Sequence, residues 1–119
     1  MSMESLLFNQ LSPLVGGRVY PGEAPEGVMT PYIVYQHSGG QPVNFYGGEQ
    51  PSKRNARMQV SVWSSTLAQA LSIAQEAETA LRACAPLNVT VLTQFFTNKD
   101  DATKRHGTYQ FFSCWSDIS

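Results

Sequence analysis

The sequence predicts an α+β fold: a two-layer sandwich with a mostly antiparallel sheet of four to five strands, two helices on one face and a long β-arm-like loop. Residues 57–63 alternate between apolar and polar side chains, a long helical pattern follows at once, and an aromatic alternating segment closes the chain. Helices grouped on one face of an antiparallel sheet give this architecture. The 119 residues fit a single domain, 1–119, with one core.

Composition narrows the class of protein. The chain is 42% hydrophobic and 14% charged, which favours a folded domain over a disordered one. A net charge of -1 gives no general attraction to nucleic acid or to anionic membranes. No apolar run approaches the roughly 20 residues of a membrane helix. Glu4 stands where a signal peptide would carry Lys or Arg, so we expect a cytoplasmic protein.

The first half of the chain predicts one helix and two extended pieces. Leucines at helical spacing indicate a helix over Glu4–Leu11, which Pro13 and the next glycine pair end. Residues 18–21 form a short extended piece, and a loop rich in Pro and Gly follows. Tyr32–Gln36 is rich in β-formers and predicts a strand.

A long excursion begins at Ser38 and settles into a strand pattern only at Arg57. Two glycine pairs and two prolines interrupt it, and Val43, Phe45 and Tyr46 lie between the glycine pairs. A structureless loop of this length is uncommon inside a compact domain. It predicts either a hairpin-like arm that orders against a neighbour or a flexible insert without a partner.

The second half predicts three strands around one helix. In Arg57–Trp63 the odd and even side chains separate into a mostly polar face and an apolar face. Thr66 and Gln69 form a capping box for a helix whose apolar stripe comprises Leu67, Ala70, Leu71, Ala74, Ala77, Leu81 and Cys84. Strands are expected at Val89–Phe96 and Thr108–Trp115, joined by a polar loop.

The sequence contains no recognisable catalytic, cofactor or metal site. His37 and His106 have no ligands at metal spacing, and the glycine pairs precede a strand rather than a helix. Asp100 and Asp101 are adjacent in a turn, where solvated carboxylates are expected. Cys84 and Cys114 are expected to be two buried free thiols, with a disulfide left open. We therefore predict no enzyme, no cofactor and no metal.

Two basic clusters remain, one closing the excursion and one in the last loop. With Phe45 and Tyr46 they could form a platform for single-stranded nucleic acid. Acidic neighbours dilute both clusters, and a polar rim around a protein interface explains them better. The candidate interaction residues are Val43, Phe45, Tyr46, Lys53, Arg54, Arg57, Lys99, Asp100, Asp101, Lys104 and Arg105.

Taken in order, the landmarks resemble a known family. They are the leading helix, residues 19–21, Ala24-Pro25, the segment Pro31–Tyr35, the strand 57–63 running directly into the helix 67–84, and the aromatic strand 109–115. In this order and spacing the chain resembles the small tail-completion proteins (tail terminator or head–tail joining proteins) of long-tailed bacteriophages and prophages.

That resemblance implies a virion structural protein without catalysis or cofactor. Such proteins form a ring, often hexameric, at the head-proximal end of the tail, where it stops tube polymerisation and meets the head connector. The implied partners are further copies, the tail tube protein and the connector or neck protein, with no membrane and no nucleic acid. Assembly would take place in the host cytoplasm. The alternatives are another neck or tail-tube subunit, or a nucleic-acid-binding accessory protein.

Overall fold

The computed structural model describes residues 2–40 and 53–117. Its elements are α1 (Met3–Leu11), β1 (Val19–Pro21), β2 (Tyr32–His37), β3 (Lys53–Ser64), α2 (Leu67–Arg82), β4 (Thr90–Val91), β5 (Phe96–Asp100) and β6 (Arg105–Asp117), with short 3-10 helices at Ser12–Leu14 and Ala85–Leu87.

The six described strands form one sheet in the order β1-β2-β3-β6-β4, with β5 also paired to β6. Among these pairs, only β1 and β2 are parallel. The predicted α+β fold is confirmed, with one strand more than expected.

The antiparallel ladder between β3 and β6 is the centre of the sheet. Its register runs without interruption from Lys53 opposite Asp117 to Ser64 opposite His106. Side chains alternate across it, so one face is buried under the helices and the other is left open. The largest buried side chains on the covered face include Ile33, Met58, Val62, Phe112 and Cys114.

Both α-helices lie on the covered face. The Ser2 hydroxyl accepts a hydrogen bond from the Ser5 backbone N–H at the start of α1, and Met3, Leu7 and Leu11 are buried. Apolar residues one turn apart therefore face the core. α2 buries Ala70, Ile73, Ala74, Ala77 and Leu81.

The predicted N-cap of α2 is confirmed, although its second hydrogen bond takes an indirect route. The Thr66 hydroxyl accepts from the Gln69 backbone N–H at 3.2 Å. Instead of reaching the Thr66 backbone N–H, the Gln69 side chain accepts from the Ser64 hydroxyl, and Ser64 accepts from that N–H. The predicted stripe was wrong at Leu67, which is 38% exposed, and it left out Ile73, which is buried one turn before Ala77.

Three strand boundaries differ from those predicted. β3 begins at Lys53 rather than Arg57, because its first four residues pair with the end of β6. The single strand expected at Val89–Phe96 is divided into β4 and β5. The last loop is shorter than predicted: the ladder continues to Asp100 opposite Arg105, and the Asp100 carboxylate accepts from the Ala102 backbone N–H in the turn.

Gln110 explains the break between β4 and β5. Its side chain is 3% exposed on the covered face of β6 and donates to Glu78 of α2 at 2.7 Å and to the Thr93 carbonyl at 2.9 Å. The Thr93 hydroxyl in turn accepts the Phe111 backbone N–H at 3.1 Å, where a strand would offer a carbonyl. One buried amide thus joins α2, β6 and the residues between β4 and β5.

Replacing Gln110 by Leu should destabilise the fold by about 1–3 kcal/mol, because the Thr93 carbonyl loses this donor and the half-buried Glu78 carboxylate keeps only its bond from Arg82. Urea unfolding measures the change. The matched control is Gln59→Leu on the open face, where we expect a change within about 0.5 kcal/mol. Equal effects of the two substitutions would contradict the role given to Gln110.

Cys84 and Cys114 are both buried and free, which confirms the prediction of two thiols. Burial raises the pKa of Cys114 to about 12, and the nearby Cys84 adds a smaller electrostatic effect in the same direction. The thiolate is the reactive form of cysteine. The native Cys114 is therefore chemically inert at neutral pH.

We expect Cys114 to resist alkylation at pH 8 in the native protein and to react once urea unfolds it. Because its folded pKa lies above the ordinary value of 9.0, its contribution to stability is complete below pH 9 and declines as pH rises toward 12. Comparing urea unfolding of wild type and Cys114→Ala between pH 8 and 10.5 isolates this slope. Rapid alkylation of Cys114 in the native protein would contradict the assignment.

Candidate interaction surface

The open face of the sheet is mostly polar and aromatic. Positions on this face alternate with core positions along β2, β3 and β6, as the ladder register requires. Arg57 is the one charged residue in β3 from Asn55 to Trp63 and in the stretches of β2 and β6 that pair with it. The open-face residues are Tyr32, Val34, Gln36, Asn55, Arg57, Gln59, Ser61, Trp63, Tyr109, Phe111, Ser113 and Trp115.

An aromatic row crosses this face from β5 to β6. Phe96 lies opposite Tyr109, and their rings stack with centroids 4.8 Å apart and planes 12° apart. Tyr109 meets Phe111 edge to face at 6.2 Å. The Arg57 guanidinium lies over the Phe111 ring, 4.5 Å from its centroid. Phe96 and Tyr109 thus each present one face to the other, and Arg57 covers one face of Phe111.

A groove of about 560 Å³ lies at one end of the open face. The Asn55 amide in its wall donates to the Ser113 hydroxyl at 2.7 Å and to the Cys114 carbonyl at 3.3 Å. A Cβ at Gly40 would lie 2.5 Å from the Asn55 carbonyl oxygen, so only glycine fits there. No carboxylate lines the groove among the described residues, which are Ser38, Gly40, Asn55, Arg57, Thr90, Leu92 and Ser113.

An acidic turn, residues 22–28, projects at the opposite end of the open face. The Val28 backbone N–H donates to the Pro25 carbonyl at 3.3 Å, and Gly27 has a φ of 79°. These are the hydrogen bond and the glycine position of a type II turn, with Glu26 at its corner. Glu26 is exposed, and the adjacent Met29 is 72% exposed.

Arg105 holds this turn against the sheet. Its guanidinium donates to the Val28 carbonyl at 2.9 Å and to the Tyr32 hydroxyl at 3.3 Å, and lies 5.4 Å from the centre of the Tyr32 ring. The acidic turn is therefore fixed to the end of β2 and β6. Arg105 is engaged within the chain and is not available as a free cation.

The structure separates the two basic clusters predicted from the sequence. Arg54 and Arg57 lie toward the Lys53 end of β3, whereas Lys99 and Lys104 lie near Arg105 at the other end. The register from Lys53 to Ser64 spans about 36 Å at roughly 3.3 Å per residue. The clusters do not form one patch. Asp100 ends β5, Asp101 lies in the turn that follows, and Val43, Phe45 and Tyr46 lie outside the described residues.

Sequence reasoning missed both the aromatic row and the acidic turn. Strict alternation of Tyr109 and Phe111 with Gln110 and Phe112 was the available signal for the row. It did not say which set would be buried. For the turn, the signal was Pro25-Glu26-Gly27, a sequence suited to a type II turn.

His37 is placed beside an acid rather than at a metal site. Its Nε2 lies 3.2 Å from a Glu4 carboxylate oxygen, and both side chains are about half exposed. A backbone hydrogen bond, and then the bond to His37, hold the pKa of Glu4 below its usual value. In residues 2–40 and 53–117, no three His, Cys, Asp or Glu side chains group as metal ligands would. No helix in those ranges has the length and apolarity needed to cross a membrane.

Comparison with known proteins identifies the family. The model of the tail completion protein gp17 family matches residues 8–113, which is most of the chain. The chain belongs to the tail completion protein gp17 family. This confirms the resemblance read from the sequence landmarks, and it makes the chain a structural protein of a phage tail.

A solved structure shares the fold of this tail completion protein. A chain in the virion of a native gene transfer agent particle superposes with a TM-score of 0.57 at 14% identity, covering 98% of this chain and 96% of the other. At this identity the match is evidence for the fold alone. No curated protein matches the sequence.

Replacing Arg105 by Met should release the acidic turn, because two hydrogen bonds from a charged donor are lost. We expect a loss of about 1–3 kcal/mol in unfolding free energy and faster hydrogen exchange at the Val28 amide. Tyr32→Phe is the matched control, since it removes only the hydroxyl acceptor and leaves the bond to Val28. Val28 exchange that is unchanged in Arg105→Met would show that other contacts hold the turn.

Proposed function

We propose that this tail completion protein is a non-catalytic subunit that forms a closed ring at the head-proximal end of the tail tube. The ring ends tube polymerisation and offers a surface to the head connector. The observation that carries the proposal is the family match over residues 8–113, which spans α1 to β6. Its partners are further copies of the chain, in a ring that could be hexameric, the tail tube protein and the connector or neck protein.

The structural comparison supports a place in the virion. The chain that shares this fold is part of the virion of a gene transfer agent particle, and the two chains superpose over nearly their whole lengths. In this proposal the subunit is made in the host cytoplasm and enters the virion at the head-proximal end of the tail. It uses no cofactor and contacts no membrane.

Ring closure requires two different, complementary surfaces on each copy. We propose that the segment containing Val43, Phe45 and Tyr46 reaches a neighbouring copy, with Lys53, Arg54 and Arg57 as polar contacts at its base. The end of the β5–β6 ladder forms the second contact surface, with Lys99, Asp100, Asp101, Lys104 and the turn held by Arg105. Aromatic and Arg side chains are enriched in the centres of such interfaces.

A role in binding single-stranded nucleic acid has less support. Such binding needs a continuous basic track with open aromatic faces. Here Arg57, the member of the first basic cluster nearest to the second, lies about 23 Å along the strand from Ser64 and His106 beside Arg105, at roughly 3.3 Å per residue. The Phe111 ring is already covered by Arg57, and Phe96 and Tyr109 stack on each other.

The test is the solution mass by light scattering over a range of protein concentrations. Wild type is compared with a variant in which residues 43–51 are replaced by a short Gly/Ser linker. We expect wild type to form a closed ring of fixed mass and the shortened variant to stay monomeric, with an unchanged circular dichroism spectrum. Replacing only residues 47–51 in the same way is the control, since it keeps Val43, Phe45 and Tyr46.

Other outcomes would decide against the proposal. If the shortened variant forms a ring of the same mass, residues 43–51 are not needed for assembly, although the ring itself is supported. Folded monomers at every concentration would contradict self-assembly of the free protein. Salt-dependent binding of single-stranded DNA by such a monomer would then favour the nucleic-acid role.

A further inference from the structure

We propose that the acidic turn of one copy docks in the open-face groove of the next, with Glu26 against Arg57 and Met29 against Leu92. The inference rests on the ring proposed above and names the contact that closes it. Neither surface follows from the family match. Both come from the geometry of the open face.

The groove is a site built from hydrogen-bond donors. Arg57 is exposed, and within residues 2–40 and 53–117 it makes a cation–π contact but no ion pair. The Ser113 hydroxyl accepts from Asn55, so its own proton can point into the groove. Among the described residues no carboxylate competes for this guanidinium and hydroxyl, a pair of donors that suits a carboxylate ligand. Leu92, 45% exposed, adds an apolar wall.

The acidic turn has the complementary chemistry on a fixed support. Glu26 occupies the corner of the turn, and no cation pairs with it or with Glu23 among the described residues. Met29 is the most exposed large apolar side chain of the described chain, at 72%. Because Arg105 anchors Val28, little conformational entropy is lost when the turn docks. One acid and one apolar side chain thus match one cation and one apolar wall.

Position along the sheet makes this a contact between copies. The groove lies by Asn55, Arg57 and Ser113, whereas Val28, at the end of the acidic turn, is held by Arg105. Arg57 lies seven positions before Ser64, which pairs with His106 next to Arg105, and this is about 23 Å along the strand at roughly 3.3 Å per residue. Glu26 is two residues from Val28 and therefore cannot reach Arg57 of its own chain. A contact that uses two different patches is heterologous, and such contacts generate rings when the rotation closes.

The test is charge exchange between copies, measured as assembly by sedimentation velocity. Arg57→Glu alone should place like charges in contact and raise the concentration needed for assembly at least about tenfold, as should Glu26→Arg alone. Mixing the two variants should restore assembly, because each copy then meets an opposite charge on both sides. The double variant, whose net charge equals that of wild type, should also assemble.

The control is Glu76→Arg, an exposed substitution on α2 with the same charge change as Glu26→Arg, which should assemble like wild type. Circular dichroism and thermal unfolding confirm that every variant is folded.

Each remaining outcome is decisive. If both single variants assemble normally, the Glu26–Arg57 contact is wrong although the ring stands. If the single variants fail and their mixture also fails, the two residues do not face each other and the proposed contact is overturned. If wild type itself remains monomeric at all concentrations, both the ring and this contact are wrong for the free protein.

Discussion

The register of the β3–β6 ladder is the constraint on which the rest of the structure depends. Twelve consecutive pairs set which side chains face the helices and which face outward. A slip of one residue would turn Arg57 and Gln59 into the core and expose Met58 and Val60. If β6 slipped instead, Gln110 would be separated from Glu78, and buried polar groups would lose a partner. Apolar burial and hydrogen bonding therefore select the same register.

Elements coded by local signals were predictable from the sequence. Alternation in 57–63 and the Thr66 cap belong to neighbouring residues, and both appear as expected. The start of β3 at Lys53 depends on pairing with residues near Asp117, about sixty positions away, and no local pattern shows it. The division of the strand predicted at Val89–Phe96 depends on the Thr93 hydroxyl meeting β6, which is equally non-local.

The interaction surface was harder to predict because both faces of β6 are apolar. Phe111 and Phe112 are adjacent and chemically identical, yet Phe112 is 1% exposed and Phe111 faces outward beneath Arg57. Only the positions of α1 and α2 decide between them, and those depend on the whole core. Likewise, Arg105 was predicted as a contact residue from its charge alone. The fold uses it to hold the acidic turn.

Two edge strands of the sheet, β1 and β4, offer little room for an added strand. β1 has three residues and ends at Pro21, and β4 has two residues. Just after β4, the Thr93 hydroxyl accepts a hydrogen bond from the Phe111 backbone N–H, so this donor is not available to an incoming strand. Short strands, proline and engaged donors hinder strand addition at β1 and β4. The five-residue β5 pairs with β6 alone among the described strands and leaves one edge open. With the helices covering one face, the open face is the broad surface left for a neighbour's side chains. Its two ends differ in charge and shape, as a heterologous contact requires.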